Sequence, residues 1–250
     1  MIIDTHMHIY DEKYQDKEAV IKEALDNDVK KMIVVGYDEK SSQEALRIKK
    51  QYDFIHLAVG LHPSEVLKEK DPELKWLIDL IENEEVCAIG EIGLDYYWDK
   101  SFKEEQKEYF IKQIEIAEKY DLPIIIHSRD SIQDTFDILK NRKVKAVLHC
   151  FGGSLEMAKE FTKRGFYLGI GGVVTFKNAK DIKEVVKEID LKYLVTETDS
   201  PYLAPTPHRG EINQPAYTKY VVEEIAKIKE ISVSEVEEQV EKNVKDLFNI

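Results

Sequence analysis

The sequence predicts an α/β chain folded as a (β/α)8 TIM barrel, and three observations point there. Eight short apolar, β-branched runs recur along the chain, at residues 1–3, 31–35, 54–59, 86–89, 123–126, 145–148, 166–170 and 192–196. Each is a continuous block, the pattern of a strand buried on both faces of a parallel sheet. Helical spacing fills the intervals, and parallel strands need such crossovers. The first turn reads DTHMH after Ile3. It lacks the glycine-rich fingerprint of a doubly wound sheet, so the barrel is the better fit.

Taken in order, the helical stripes are regular. Leu74, Leu77, Ile78 and Ile81 share a face between the third and fourth runs, and Phe110, Ile114 and Ala117 follow the fourth. Ile132, Phe136 and Leu139 follow the fifth, and Ile182, Val185, Val186 and Ile189 follow the seventh. Two helical segments close the chain, marked by Val221, Ile225 and Ile228, then by Val236, Val240, Val244 and Leu247. Ser232 with Glu235 three residues on predicts a capping box for the last. Two connections are long: 92–102 (IGLDYYWDKSF), rich in aromatics, and 200–215, which holds four of the seven prolines. Long βα connections tend to carry function. Charge runs at 68–75, 103–109 and 229–242 read as solvated helix faces.

A chain of 250 residues is long enough for a full core without disulfides, and barrels of this size are usually one domain, here 1–250. The two cysteines, Cys87 and Cys150, make no disulfide framework. The N-terminus carries no basic segment followed by an apolar one, and no apolar run approaches the roughly 18–20 residues of a membrane span. A cytoplasmic protein with no membrane partner and no evident obligate protein partner is expected. The formal charge is −13 and the pI about 5.1. Proteins that bind duplex along their length show a basic face instead. Bound cations reverse the local field, so a nuclease with a metal-lined pocket stays open.

Histidine placement carries the chemistry. Five of the seven histidines fall at the carboxyl ends of proposed strands: His6 and His8, His62, His127 and His149. Glu91 ends the fourth strand and Asp199 the eighth. Barrel strand ends converge on one mouth, where active sites lie. His6 and His8 are two apart and point the same way on an extended segment. Imidazole and carboxylate are natural ligands of divalent metals. Set singly, each of these residues has a structural explanation; together they predict a metal site. His56 sits at the other end of its strand and His208 lies outside the set. Glu197 shares a face with Asp199 but acquires no role.

HMH at 6–8, GLHP at 60–63, GEIGLDYYWD at 90–99, HSRD at 127–130, HCFGG at 149–153 and ETDSPYL at 197–203 together resemble the TatD family of metal-dependent hydrolases. The likeness runs end to end, in the same order and spacing. HxH alone marks only the wider amidohydrolase superfamily; the GEIGLDY and ETDSPYL segments narrow it. The resemblance implies two divalent metal ions, one held by His6, His8 and Asp199, the other by His127 and His149, with Glu91 bridging. A bridging carboxylate sets two ions about 3.5–4 Å apart, the spacing for phosphoryl hydrolysis by a water shared between them. Asp199 is the candidate acceptor of that water's proton, and Glu91 and His62 complete the candidate catalytic set. Histidine-rich ligation suits zinc, manganese or nickel, whereas all-oxygen sites suit magnesium.

Candidate substrate contacts lie in the mouth loops. His62 is either a donor to a phosphate oxygen or leaving group, or a residue packed on the GLHP turn. Arg129 and Arg209 offer planar forks for phosphate, or ion pairs with Asp130 and Glu211. Tyr96, Tyr97 and Trp98 form either a base-stacking platform or a packed lid. The resemblance implies a deoxyribonuclease that shortens single-stranded DNA from its ends. A D-aminoacyl-tRNA deacylase, or another ester or amide hydrolase, is the alternative with the same site. A non-catalytic metal-binding barrel is a third reading, disfavoured because structural sites tend to be closed and tetrahedral.

Overall fold

The computed structural model describes residues 1–250. Eight parallel strands form one sheet in sequence order: β1 (Ile2–Met7), β2 (Val29–Val35), β3 (Ile55–Val59), β4 (Val86–Asp95), β5 (Ile124–Arg129), β6 (Ala146–Leu148), β7 (Tyr167–Ile170) and β8 (Leu194–Thr196). Helices α1 (Lys17–Asp26), α2 (Glu39–Lys49), α3 (Lys75–Asn83), α4 (Lys103–Tyr120), α5 (Ile132–Leu139), α6 (Leu155–Thr162), α7 (Lys180–Glu188) and α8 (Thr218–Lys229) alternate with them, and α9 (Val233–Phe248) ends the chain. The fold is a (β/α)8 barrel. Its core is one cluster of 62 buried residues, supplied by strands apolar on both faces, as parallel sheets covered by helices require.

The seam between β1 and β8 closes differently from the other seven junctions. A single parallel bridge joins Met7 to Ser200, flanked by Asp199 N–H to His6 O (2.9 Å) and His8 N–H to Ser200 O (2.8 Å). Below it, side chains replace the ladder: Thr196 Oγ1 donates to Ile3 O at 2.7 Å and Thr198 Oγ1 donates to Asp4 Oδ2 at 2.6 Å. Helix α9 packs on both β1 and β8. Its Asn243 amide donates to Leu191 O (2.8 Å) and Leu194 O (2.7 Å), pinning the start of β8. The Ser232–Glu235 capping box that begins α9 is present.

Several boundaries differ from expectation, each for a physical reason. β1, β4 and β5 run on to Met7, Asp95 and Arg129, because polar residues at the mouth still find main-chain partners on neighbouring strands. Glu91 and His127 therefore lie within strands, and the aromatic connection starts at Tyr96 instead of residue 92. Asp199 lies three residues past β8, in a left-handed backbone conformation (φ 55°). The charge run at 68–75 is not a helix: Pro72 and a left-handed Leu74 (φ 50°) delay α3 to Lys75. No helix is long and apolar enough to cross a membrane.

Candidate metal centre

The carboxyl ends of the strands surround a cavity of about 890 Å³ lined by His8, His62, Glu91, Asp95, His127, His149 and Asp199. His6 lies buried just beneath. A cavity of about 1110 Å³ opens at the opposite end beside His56 and the C-terminus, and none of the strand-end histidines reaches it.

Glu91, on β4, stands at the centre. Its Oε2 faces His6 Nε2 (3.5 Å) and His8 Nε2 (3.7 Å) from β1. Its Oε1 faces His127 Nδ1 (2.8 Å) from β5 and His149 Nε2 (2.9 Å) after β6. Each oxygen thus serves a different histidine pair. Asp199 Oδ1 lies 3.6 Å from His8 Nε2 and 3.9 Å from His6 Nε2. Donor atoms of His6, His8 and Glu91 fall within 4.8 Å of one another, as do those of His6, His149 and Asp199, and of His62, Glu91 and His127.

The hydrogen-bond network fixes several rings. His8 Nδ1 lies 2.8 Å from Val35 O, a pure acceptor, so Nδ1 carries a proton and Nε2 is the nitrogen turned to the cavity. His62 Nδ1 accepts the Ser64 N–H at 3.1 Å, so His62 turns an Nε2–H toward Glu91 Oε1 3.6 Å away. Burial, reinforced by the neighbouring His127, lowers the His62 pKa to about 3 and keeps the ring neutral. Both His127 nitrogens face carboxylates, Glu91 and, at 2.9 Å, Asp95 Oδ2.

The charge balance fits a metal site. Glu91, Asp95, Glu197 and Asp199 crowd the mouth with histidines as their only cationic neighbours within 4 Å. Buried charge without such pairing is costly. Burial pushes the Glu91 carboxyl up, but His149, His62 and His127 outweigh it and hold it well below the usual range. Burial acts against Asp199 in the same way, and the His8 bond with the charges of His149 and His6 keeps it low. Burial also works against the protonated forms of His149 and His127. The Glu91 charge and further polar neighbours raise His149 well above its ordinary value; bonds to Asp95 and Glu91 raise His127. Acids held ionised beside histidines holding protons is the arrangement divalent cations would relieve.

The remaining expected contacts separate. Arg129 lines the cavity, its guanidinium 3.7 Å over the Tyr97 ring and 5.4 Å from that of Trp98, with no carboxylate pairing it. Trp98 is 77% exposed and Tyr97 50%. Tyr96 is buried, its hydroxyl donating to Asp134 at 2.9 Å, so its ring has no open face for a base. Arg209 stacks on Phe176 and donates to Ala204 O, outside the cavity lining. Asp95 was missed by sequence reasoning; its parity with Glu91 and Gly93 on one strand was the available signal. His208 stacks on Tyr217 away from the mouth.

A barrel whose strand ends gather histidines and carboxylates without lysine or arginine partners has the donor set of a divalent-metal site, and the curated relatives of this chain are metal-dependent hydrolases by name. The family profile described as TatD related DNase matches residues 3–249, and the chain belongs to that family. It is 47% identical over 254 residues to the uncharacterized metal-dependent hydrolase YabD of Bacillus subtilis, covering all of both chains. It is 40% identical over 249 residues to the metal-dependent hydrolase MJ1582 of Methanocaldococcus jannaschii, covering 98% of this chain and 96% of that one. The crystal structure of YjjV, a TatD homologue from Escherichia coli K12, superposes with a TM-score of 0.94 at 30% identity, covering 100% and 98% of the two chains.

Proposed function

We propose that the protein is a two-metal hydrolase of phosphodiesters that shortens single-stranded DNA from its ends. The observation that carries the reading is the division of Glu91, one oxygen toward His6 and His8 and the other toward His127 and His149. His6, His8 and Asp199 would hold one ion, His127 and His149 the other, with Glu91 bridging. When bound, such a pair supplies an ionised water and neutralises charge building on phosphoryl oxygens.

The chain's own groups do the rest. Asp199, ionised and beside His8 Nε2, accepts the proton of the attacking water. His62 directs a neutral N–H at the centre and donates to a phosphate oxygen or to the leaving oxygen. Arg129, braced by Tyr97, supplies a fork for a neighbouring phosphate, and Trp98 offers a face to an unpaired base.

The test is a gel assay of end-labelled single-stranded DNA with Mn²⁺, with Mg²⁺ and with EDTA, beside Glu91→Ala. A ladder shortening from one end, dependent on metal and lost in the variant, is expected. No cleavage by protein with metal bound, together with release of amino acid from D-aminoacyl-tRNA, would overturn the phosphodiester reading in favour of ester hydrolysis.

A further inference from the structure

Two buried carboxylates take no part in the chemistry above, yet each stands behind one histidine. Asp95 Oδ2 lies 2.9 Å from His127 Nε2, while the ring's other nitrogen faces Glu91 at 2.8 Å. Glu197 Oε1 lies 3.7 Å from His149 Nδ1, while Nε2 faces Glu91 at 2.9 Å. Neither acid has a lysine or arginine within 4 Å; the facing histidine is the ion-pair partner of each.

We propose that Asp95 and Glu197 are positioning residues, each holding the outer nitrogen of a histidine so that its inner nitrogen is offered to a metal beside Glu91. The proposal rests on the assignment of His127 and His149 to one ion. Metal-binding histidines commonly donate their second N–H to a carboxylate, which fixes the tautomer and strengthens the ligand. Opposite edges of an imidazole point in opposite directions. Glu197 therefore cannot share the ion that His149 Nε2 and Glu91 would hold, although Glu197, His149 and Cys150 have donor atoms within 4.8 Å of one another.

The surroundings of Glu197 are built to place it. Its Oε1 accepts the Cys150 N–H, which anchors the carboxylate beneath the turn carrying His149. A Cβ on Gly169 of β7 would lie 2.3 Å from Glu197 Oε2, so the space for the carboxylate exists only because residue 169 is glycine. His149 Nδ1 is buried and makes no hydrogen bond, and the Glu197 carboxylate lies 3.7 Å from it. A buried N–H is costly to leave unpaired, and Glu197 is the carboxylate within 4 Å of this nitrogen. Asp95 is anchored in the same manner, its Oδ1 accepting the Tyr97 N–H at 2.9 Å.

The test measures metal binding rather than turnover. Full-length protein stripped with a chelator is titrated with Zn²⁺ against a chromophoric competitor, as wild type, Glu197→Gln, Asp95→Asn and Gly169→Ala. Each variant is expected to weaken the same one of two binding steps by about 10- to 100-fold and to leave the other unchanged. Gly169→Ala removes no donor atom, so a matching effect locates the cause in the placement of Glu197. Long-range ¹H–¹⁵N NMR of the stripped protein, at a pH high enough to neutralise the His149 ring, is expected to show His149 as the Nδ1–H tautomer in wild type and as a tautomer mixture in Glu197→Gln. Unchanged affinities with an unchanged tautomer would overturn the proposal. So would loss of a whole equivalent of metal in Glu197→Gln, because Glu197 would then be a ligand. If wild type binds one ion only, the two-metal reading fails, while the tautomer comparison still decides the role of Glu197.

Discussion

Asp4 and Thr198 are joined twice across the barrel seam: Thr198 N–H donates to Asp4 Oδ1 at 3.0 Å and Thr198 Oγ1 donates to Oδ2 at 2.6 Å. Asp4 also accepts the His6 N–H at 3.2 Å. One fully buried carboxylate thus ties β1 to the segment carrying Asp199, directly beneath the centre. Strand β8 is only three residues long, and this side chain supplies pairing that a longer strand would have given.

The bond comes with a pH signature. Burial pushes the Asp4 carboxyl up to about 7, against the hydrogen bonds that favour its ionised form. The folded state therefore keeps a proton that the unfolded state releases near pH 3.9, so the Asp4 contribution falls as pH rises toward about 7 and is flat above. Asp4→Asn removes this dependence. The stability of the variant relative to wild type should rise by roughly 4 kcal/mol between about pH 4 and about pH 8. Urea unfolding of chelator-treated protein checks it, and a pH-independent difference would show that Asp4 titrates normally.

The strand count, the order and the strand-end histidines were legible because each is a local pattern: an apolar block, a helical stripe, a polar residue directly after a block. The ends of β4 and β5 were not. Glu91 and His127 look like loop residues because they are polar, and only pairing with neighbouring strands shows that the ladder continues past them. Asp95 and Glu197 were illegible as partners because their histidines belong to other βα units, 32 and 48 residues away in sequence. Tyr96, Tyr97 and Trp98 are alike in composition, and only burial separates the first from the other two. Arg129 and Arg209 were equivalent as sequence features until packing placed one in the cavity lining and the other on Phe176.

That separation of aromatics sets the second expectation. Stacking on a protein ring contributes about 1–3 kcal/mol per base, so Trp98→Ala should raise KM for single-stranded DNA roughly 5- to 150-fold. It should leave hydrolysis of a small chromogenic phosphodiester unchanged. Tyr96→Phe should leave both constants alone and cost about 1 kcal/mol of stability through the lost bond to Asp134. Equal effects of Trp98→Ala on the polymer and the small ester would place the indole outside the strand's path.

His62 separates a donor from a ligand. Its Nε2 carries a proton in the observed network, so His62→Ala should lower kcat by about 10²–10³, the scale of one lost donor to developing charge. Metal stoichiometry and affinity should stay as in wild type. Loss of an ion on this substitution, read by metal analysis of the purified variant, would make His62 a ligand instead.

Proton release should accompany metal binding, and its sign follows from the shifts. Glu91, Asp95 and Asp199 are held below the usual carboxylate range, so they are ionised at neutral pH and release nothing. His149, His127 and His8 are raised by the carboxylates around them, against the effect of burial, so they keep protons at a pH where a free imidazole has lost most of its own. A metal needs the lone pair those protons occupy. Affinity should therefore fall as pH drops through the raised histidine pKa values and level off above them. Titration calorimetry at about pH 7 in two buffers of different ionisation enthalpy counts the protons, and more than one per pair of ions is expected. The same titration on Glu91→Gln should release fewer, because removing the central carboxylate charge removes the main force holding the proton on His149. Release that is absent in wild type, with affinity flat across the range, would mean that the histidines are already neutral and that the buried acids are balanced in some other way.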